Sequence, residues 1–179
     1  AFMRKFSTKE MVYLALLISL NIVLTRVASI RLSFGGVEGI RIGFGGFPTI
    51  LAGIIFGPIS GGIVGAVGDI VGYYINPAGP YMPHFTLTAA LTGIIPAVVI
   101  LPFKKGIPGF WPLVLAIAIG EIVTSILLVP YFLHLLFNIP ILVSLPARII
   151  SLVIQVPLYA FFGELILKRI NLIVNLNPR

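Results

Sequence analysis

The chain has 179 residues, of which 59% are hydrophobic and 9% are charged, and its formal net charge is +7. An average globular protein carries about 25% charged residues, so this composition excludes a soluble enzyme, a nucleic-acid-binding module and a disordered tail. The apolar runs are continuous, whereas the strands of a membrane β-barrel alternate apolar and polar residues. The sequence therefore predicts a helical membrane protein, whose basic residues serve topology and lipid contact rather than nucleic acid.

Six apolar segments predict an all-α bundle of six transmembrane helices that forms one domain over residues 1–179, since a span needs about 20 apolar residues. In chain order they cover about Met11–Ile30, Phe47–Phe56, Ile59–Ile75, Phe85–Phe103, Trp111–Phe137 and Ala147–Leu167. The first apolar run is longer than the core of most signal peptides, so we expect it to remain as a span.

The connections between the spans have loop compositions. A polar, glycine-rich stretch, Arg31–Gly46, separates the first two spans, and Asn, Pro and Gly predict loops at Asn76–Pro83 and Asn138–Pro146. Pro130 is expected to interrupt the fifth span, because proline has no backbone N–H to donate.

The basic residues predict the orientation, because cytoplasmic loops carry an excess of Lys and Arg. With both termini in the cytoplasm, eight lie on that side: Arg4, Lys5, Lys9, Lys104, Lys105, Lys168, Arg169 and Arg179. The remaining four are all arginine and lie on the outer side or in the outer parts of spans: Arg26, Arg31, Arg41 and Arg148. Eight against four favours cytoplasmic N- and C-termini.

The four outer arginines indicate a pocket for an anionic organic ligand. Charges at membrane depth are costly and usually face a cavity or a partner. A guanidinium group also presents forked donors that match carboxylates and stack on flat rings. The alternative is that these arginines reach lipid headgroups or pair with Glu38, the one acid nearby.

Aromatic and polar side chains on the same outer side complete a candidate small-molecule site. The candidates are Phe44, Tyr74, Asn76, Tyr81, His84, Phe85 and Thr86. An ordinary belt of interfacial aromatic residues is the alternative explanation for many of them. The histidines have no metal-ligand spacing, and the chain has no cysteine, so we predict no metal site.

Two further patterns lie within the spans. Asp69 lies near the middle of the third span, where it is either a proton-relay carboxylate or the structural partner of an arginine or a helix hydroxyl. Gly57, Gly61 and Gly65 are four residues apart and share one helix face, which predicts close approach of another backbone.

Catalysis is not expected. The tetrad Pro58-Ile59-Ser60-Gly61 is similar to the nucleophile motif of intramembrane serine proteases but lacks the leading glycine. Ser60 is also predicted on the cytoplasmic side, away from both histidines. We therefore predict no catalytic residue.

Several segments together resemble one family of transport proteins. They are Ile42-Gly43-Phe44-Gly45-Gly46-Phe47-Pro48, Leu51–Pro58, Gly65-Ala66-Val67-Gly68-Asp69, Gly79–Leu87, Leu145-Pro146-Ala147-Arg148 and Leu24-Thr25-Arg26. These segments resemble the folate-type S-components of energy-coupling factor (ECF) transporters. The resemblance extends over nearly the whole chain.

The resemblance implies a six-helix subunit in the plasma membrane of a prokaryote that captures a vitamin from outside with high affinity. It implies partners as well, namely a transmembrane coupling protein and two cytoplasmic ATPases. ATP is then used by those ATPases, and this chain binds no cofactor of its own. Small residues on the first helix form the docking surface for the coupling protein in that family, which corresponds here to Ala15 and Ser19.

Folate is the vitamin that best fits the candidate site. It joins a flat pterin ring to a tail that carries carboxylates, so arginines would hold the tail while Phe44, Tyr74, Tyr81 or Phe85 stacks on the ring. Pantothenate or a pyrimidine precursor is the alternative within the same family. A different class, a self-sufficient proton-coupled transporter, would use Asp69 and Glu121 instead.

Overall fold

The computed structural model describes the backbone of residues 5–34, 37–77, 79–103 and 106–174, with side chains described for residues 5–30, 43–77, 79–103 and 106–170. Within these ranges the chain is nearly all helical. The α-helices are α1 (Thr8–Ile22), α2 (Gly46–Phe56), α3 (Pro58–Ile75), α4 (Pro83–Ile100), α5 (Phe110–Glu121), α6 (Val129–Phe137) and α7 (Ile141–Val174).

Local sequence explains where several helices begin. Ser7 caps α1 in a capping box, with its hydroxyl accepting from the Glu10 amide at 3.2 Å and the Glu10 carboxylate accepting from the Ser7 amide at 3.0 Å. Both α3 and α4 start with proline, whose missing N–H is one that the first helical turn leaves unused. Gly57 alone separates α2 from α3, and its φ of 105° is open to glycine at little cost.

The glycine-rich stretch after the first span forms a β-hairpin, which the sequence did not predict. Strands β1 (Ile30–Phe34) and β2 (Val37–Ile42) pair antiparallel, with Arg31 opposite Arg41. Isoleucine, valine and leucine between the charged residues favour this extended backbone. The strands are short and contain glycine and charged residues, so the alternation of apolar and polar residues that indicates a strand is not evident in the sequence.

Two helices pass through wider π-helical turns. One turn, Val23–Val27, extends α1, and another, Ile122–Leu128, joins α5 to α6 into a continuous helical segment from Phe110 to Phe137. Pro130 was expected to interrupt this segment, and the irregularity lies immediately before it. Such turns accommodate a proline whose ring crowds the preceding helical turn.

The last helix starts earlier than predicted. Asn138 ends α6 with a left-handed φ of 53°, and α7 begins at Ile141, inside the segment predicted as a loop up to Pro146. Both Pro146 and Pro157 lie within α7. Prolines are tolerated in membrane helices because neighbouring groups satisfy the freed carbonyls.

The described residues include five helical segments long and apolar enough to cross a membrane. They are Thr8–Val27, Pro58–Ile75, Pro83–Phe103, Phe110–Phe137 and Ile141–Ile170, while the second predicted span, Phe47–Phe56, corresponds to the shorter apolar helix α2. Large apolar side chains cover the outside, for example Trp111 and Leu142, which are 74% and 81% exposed. The fold is that of a multi-pass helical membrane protein.

Glycine allows the central helices to pack against one another. A Cβ atom on Gly61 would lie 2.6 Å from the Gly93 carbonyl oxygen, and one on Gly65 would contact the Ala89 carbonyl oxygen. The backbones of α3 and α4 therefore meet directly, as predicted for this glycine face. On another face of α3, Gly68 lies against the Asn21 side chain, so α1 packs there.

Candidate functional site

A cavity of about 290 Å³ lies where the helices converge. Every helix, α1 to α7, contributes to its wall, together with the loop between β2 and α2 and the loop between α3 and α4. Its aromatic side chains are Tyr73, Tyr81, Phe85, Phe137 and Tyr159. Among the described residues, the charged side chains that line it are Arg26, Asp69, Glu121 and Arg148.

The glycine loop that precedes α2 is held from both sides of the cavity. Asn21 on α1 donates its side-chain amide to the Gly45 carbonyl at 2.7 Å. From α7, Gln155 and Tyr159 both donate to the Gly43 carbonyl, at 2.7 and 3.0 Å. Polar side chains inside otherwise apolar helices thus position a backbone segment of the cavity wall.

Arg26, in the π-helical turn that extends α1, forms a buried ion pair with Asp69 on α3. Its Nη2 atom lies 3.2 Å from Asp69 Oδ1 and also donates to the Asp69 carbonyl at 3.3 Å, while Nη1 donates to the Asn76 carbonyl at 3.2 Å. Gly72 makes room for this guanidinium, since a Cβ atom there would lie 2.9 Å from Arg26 Nε. The structural partner proposed for Asp69 is confirmed.

The second carboxylate oxygen of Asp69 connects to the loop between α3 and α4. Thr86 donates its hydroxyl to Asp69 Oδ2 at 2.8 Å, and the Thr86 and Tyr81 hydroxyls lie 3.0 Å apart. Tyr73 donates to the Gly79 carbonyl in the same loop at 3.1 Å. The Arg26–Asp69 pair is therefore part of a network that holds this loop against the cavity.

A second pair of charges comes from α5 and α7. Glu121, at the end of α5, is 9% exposed and interacts electrostatically with Arg148 on α7. Both side chains line the cavity. A ligand that enters the cavity therefore meets both an acid and a base.

The candidate binding residues occupy three kinds of position. Those that line the cavity are Arg26, Tyr81, Phe85 and Arg148. Those that lie outside its lining are Phe44, Tyr74, Asn76, His84 and Thr86, and each of them contacts a lining residue through a hydrogen bond or a ring contact. Arg31 and Arg41 lie on the paired strands, and their side chains are outside the described residues.

Sequence reasoning missed several polar residues of the wall, among them Asn21, Gln155 and Tyr159. Each lies within an apolar span, where a polar side chain is expensive unless it faces a cavity or a partner. That signal is visible in the sequence for Asn21 and Gln155, which interrupt runs of aliphatic residues.

The predicted docking residues lie on the outside of the bundle. Ala15 and Ser19 are both exposed on α1, and Ser19 donates its hydroxyl back to the Ala15 carbonyl at 2.9 Å. This back-bonding keeps the hydroxyl close to the helix. The result is a smooth strip between larger apolar side chains such as Leu16, which is 61% exposed.

Comparisons with known proteins agree on one family. The family model described as ECF-type riboflavin transporter, S component, matches residues 5–171. The protein named Folate transporter FolT from Clostridium novyi (strain NT) is 34% identical over 155 residues, covering 84% of this chain and 83% of that protein.

Two solved structures have similar folds. The crystal structure of FolT bound with folic acid superposes with a TM-score of 0.76 at 29% identity, covering 91% of this chain and 95% of that one. The structure of the S component of a bacterial ECF transporter has a TM-score of 0.63 at 17% identity, covering 93% and 97%. The second match supports the fold alone.

Proposed function

This chain belongs to the ECF-type riboflavin transporter S-component family, and from that premise we propose that it is the vitamin-binding subunit of an ECF-type importer whose ligand is folate. It is a transporter component rather than an enzyme. The proposal concerns the ligand, the partners and the orientation in the membrane.

The observation that carries the folate proposal is the chemistry of the cavity. Its volume of about 290 Å³ is near the lower end of the range for small-molecule sites, roughly 300–1,000 Å³. Tyr81, Phe85 and Tyr159 offer flat surfaces for a pterin ring. Arg148 offers the paired N–H donors of a guanidinium group to oxygen atoms of the ligand. The similarity to FolT with folic acid at 29% identity supports the same ligand class.

We further propose a six-span topology in a prokaryotic plasma membrane, with both termini in the cytoplasm. Five helical segments have the length of a span, and α2 with its eleven residues supplies the sixth. Packing against α3 and α4 through glycine lets so short a helix be surrounded by protein rather than lipid. The excess of basic residues toward the termini supports this orientation.

The partners are a transmembrane coupling protein and two cytoplasmic ATPases, and transport energy comes from ATP that those ATPases hydrolyse. The exposed strip at Ala15 and Ser19 is the contact for the coupling protein. Its small side chains support close helix contact with another membrane protein.

Calorimetry on the purified protein in detergent tests the ligand. We expect folate to bind with a dissociation constant well below that of pantothenate, and mass spectrometry of the purified protein to detect a co-purified folate. A flavin is the second candidate, because the matching family model is described as a riboflavin component. Tight binding of riboflavin without binding of folate would replace the proposed ligand.

Liposomes test the mode of transport. Protein reconstituted alone should bind folate without accumulating it, and accumulation should require the coupling protein, the ATPases and ATP. Accumulation by the chain alone under a proton gradient would instead identify a self-sufficient proton-coupled transporter.

A further inference from the structure

We propose that Glu121 and Arg148 together recognise the 2-amino-4-oxo edge of a pterin ring and thereby select folates over flavins. This inference rests on the proposed function and states which part of the ligand Glu121 and Arg148 bind. Glu121 would then select the ligand, rather than carry protons as in the alternative of a proton-coupled transporter.

The burial of Glu121 is the first step. The residue is 9% exposed and lines the cavity, yet no side chain or backbone group within the described part of the chain donates a hydrogen bond to its carboxylate. A carboxylate at membrane depth is costly and is retained where a partner compensates it. The charge of Arg148 offsets part of this cost, and the carboxylate oxygens keep acceptor positions for a ligand in the cavity.

The Glu121 carboxylate borders a gap in the cavity wall beside Gly46. A Cβ atom built on Gly46 would lie 3.7 Å from Glu121 Oε1, 3.8 Å from the Thr92 methyl group and 3.8 Å from Tyr159 Cε2. Gly46 itself has no side chain, so a gap of about one methyl group stays open between an acid, a methyl group and an aromatic ring, and the edge of a flat ligand ring would enter there. The Tyr159 ring is fixed in place because its hydroxyl donates to the Gly43 carbonyl.

The donor and acceptor pattern of the ligand decides between vitamins. The pterin edge presents two adjacent donors, the 2-amino group and N3–H, followed by the 4-oxo acceptor. A carboxylate accepts both donors with its two oxygens, and a guanidinium donates to the oxo group. A flavin presents an acceptor, a donor and an acceptor, so its 2-oxo group would face the Glu121 carboxylate and repel it.

The test compares folic acid with its analogue in which a 2-oxo group replaces the 2-amino group. For the unmodified protein we expect the analogue to bind at least about 100-fold more weakly, because a site built for a donor is left unsatisfied by an acceptor. Glu121→Gln should lose most of this preference, since an amide accepts from N3–H and donates to a 2-oxo group. Glu164→Gln, which lies outside the cavity lining, is the matched control and should keep it.

The outcomes separate this inference from the ligand proposal. If the unmodified protein binds folate but binds the 2-oxo analogue within tenfold of it, the role of Glu121 is wrong and the ligand proposal stands. A folded Glu121→Gln variant that keeps the full preference also overturns it. Absence of folate binding by the unmodified protein overturns the ligand proposal, and this inference falls with it.

Should Glu121→Gln fail to fold, Gly46→Ala provides a second variant. Its Cβ atom would make ordinary van der Waals contacts at 3.7–3.8 Å, so the fold should tolerate it, but it would fill the space in front of Glu121. We expect folate affinity to fall at least about tenfold, the loss that about 1.4 kcal/mol produces. Unchanged affinity would overturn the placement of the ring.

Discussion

At the scale of single residues, the few charges of this chain divide into exposed and buried groups with different roles. The Lys168–Glu164 pair on α7 has an N–O distance of 2.7 Å, but the lysine side chain is 60% exposed. The Arg26–Asp69 pair has a longer distance of 3.2 Å, yet the arginine side chain is 4% exposed. Burial rather than distance determines what each pair contributes, because water screens the exposed one.

Removing one partner from each pair should therefore have unequal effects. Arg26→Met removes the donor to Asp69 Oδ1 and to the Asn76 carbonyl and leaves the Asp69 charge without its cation, and we expect it to lower the free energy of unfolding by about 3–5 kcal/mol. Lys168→Met should change it by about 0.5 kcal/mol or less. Titration with a denaturing detergent, followed by circular dichroism, measures both. Equal losses would contradict a structural role for the buried pair.

At the scale of elements, glycine determines how closely the helices approach one another. Gly61 on α3 contacts Gly93 on α4, and Gly53 on α2 contacts the same glycine, so three helices meet at backbone distance. This contact leaves the polar ends of α1, α3 and α4 side by side around the cavity. The glycine repeat was visible in the sequence, but which helix it contacts follows from the tertiary structure.

Alanine substitution distinguishes packed from unpacked glycines within helices. In Gly61→Ala the new methyl group would lie 2.6 Å from a carbonyl oxygen, so α3 and α4 must separate. Gly163→Ala on α7 places its methyl group 3.9 Å from Leu113, an ordinary contact. We expect the first to lower the melting temperature in detergent by several degrees and the second to keep or raise it, since alanine favours helix by about 1 kcal/mol. Similar shifts in both would contradict direct backbone packing.

At the scale of the whole molecule, the cavity and the exposed strip at Ala15 and Ser19 lie on different parts of the bundle. The cavity is enclosed by side chains from every helix, whereas Ala15 and Ser19 face away from the bundle on α1. Ligand binding and partner docking are therefore separable by mutation.

A bulky residue at Ala15 tests this separation. Ala15→Trp should leave folate affinity unchanged and abolish uptake in membranes that contain the coupling protein and ATPases. Val153→Trp, at a residue that is 62% exposed on α7, is the control and should support uptake. Normal uptake by Ala15→Trp would show that the coupling protein binds elsewhere.

Single cysteines test the topology, since the natural chain contains none. With the proposed orientation, a membrane-impermeant maleimide added to intact cells should label Pro140→Cys, in the loop between α6 and α7. It should label Lys5→Cys and Ile107→Cys only after the membrane is opened. The reverse pattern would place both termini outside.

The sequence by itself indicated a membrane protein, the approximate positions of its spans and its family. These properties depend on composition and on motifs that are local in the chain. Asp69 could be assigned a partner of the right kind, since a carboxylate at membrane depth requires one. The tertiary structure alone identified that partner as Arg26, 43 residues away in the chain.

Only the tertiary structure also revealed the hairpin, the start of α7 and the lining of the cavity. Short strands and prolines have weak local preferences that the surrounding packing overrides. The cavity brings together Asn21, Glu121, Arg148 and Tyr159 from helices that are distant in sequence, through glycine contacts that fix how closely those helices lie. Which charges meet in space is a property of packing, and in this protein packing pairs Arg26 with Asp69 beside a loop and brings Arg148 and the buried Glu121 to the same cavity.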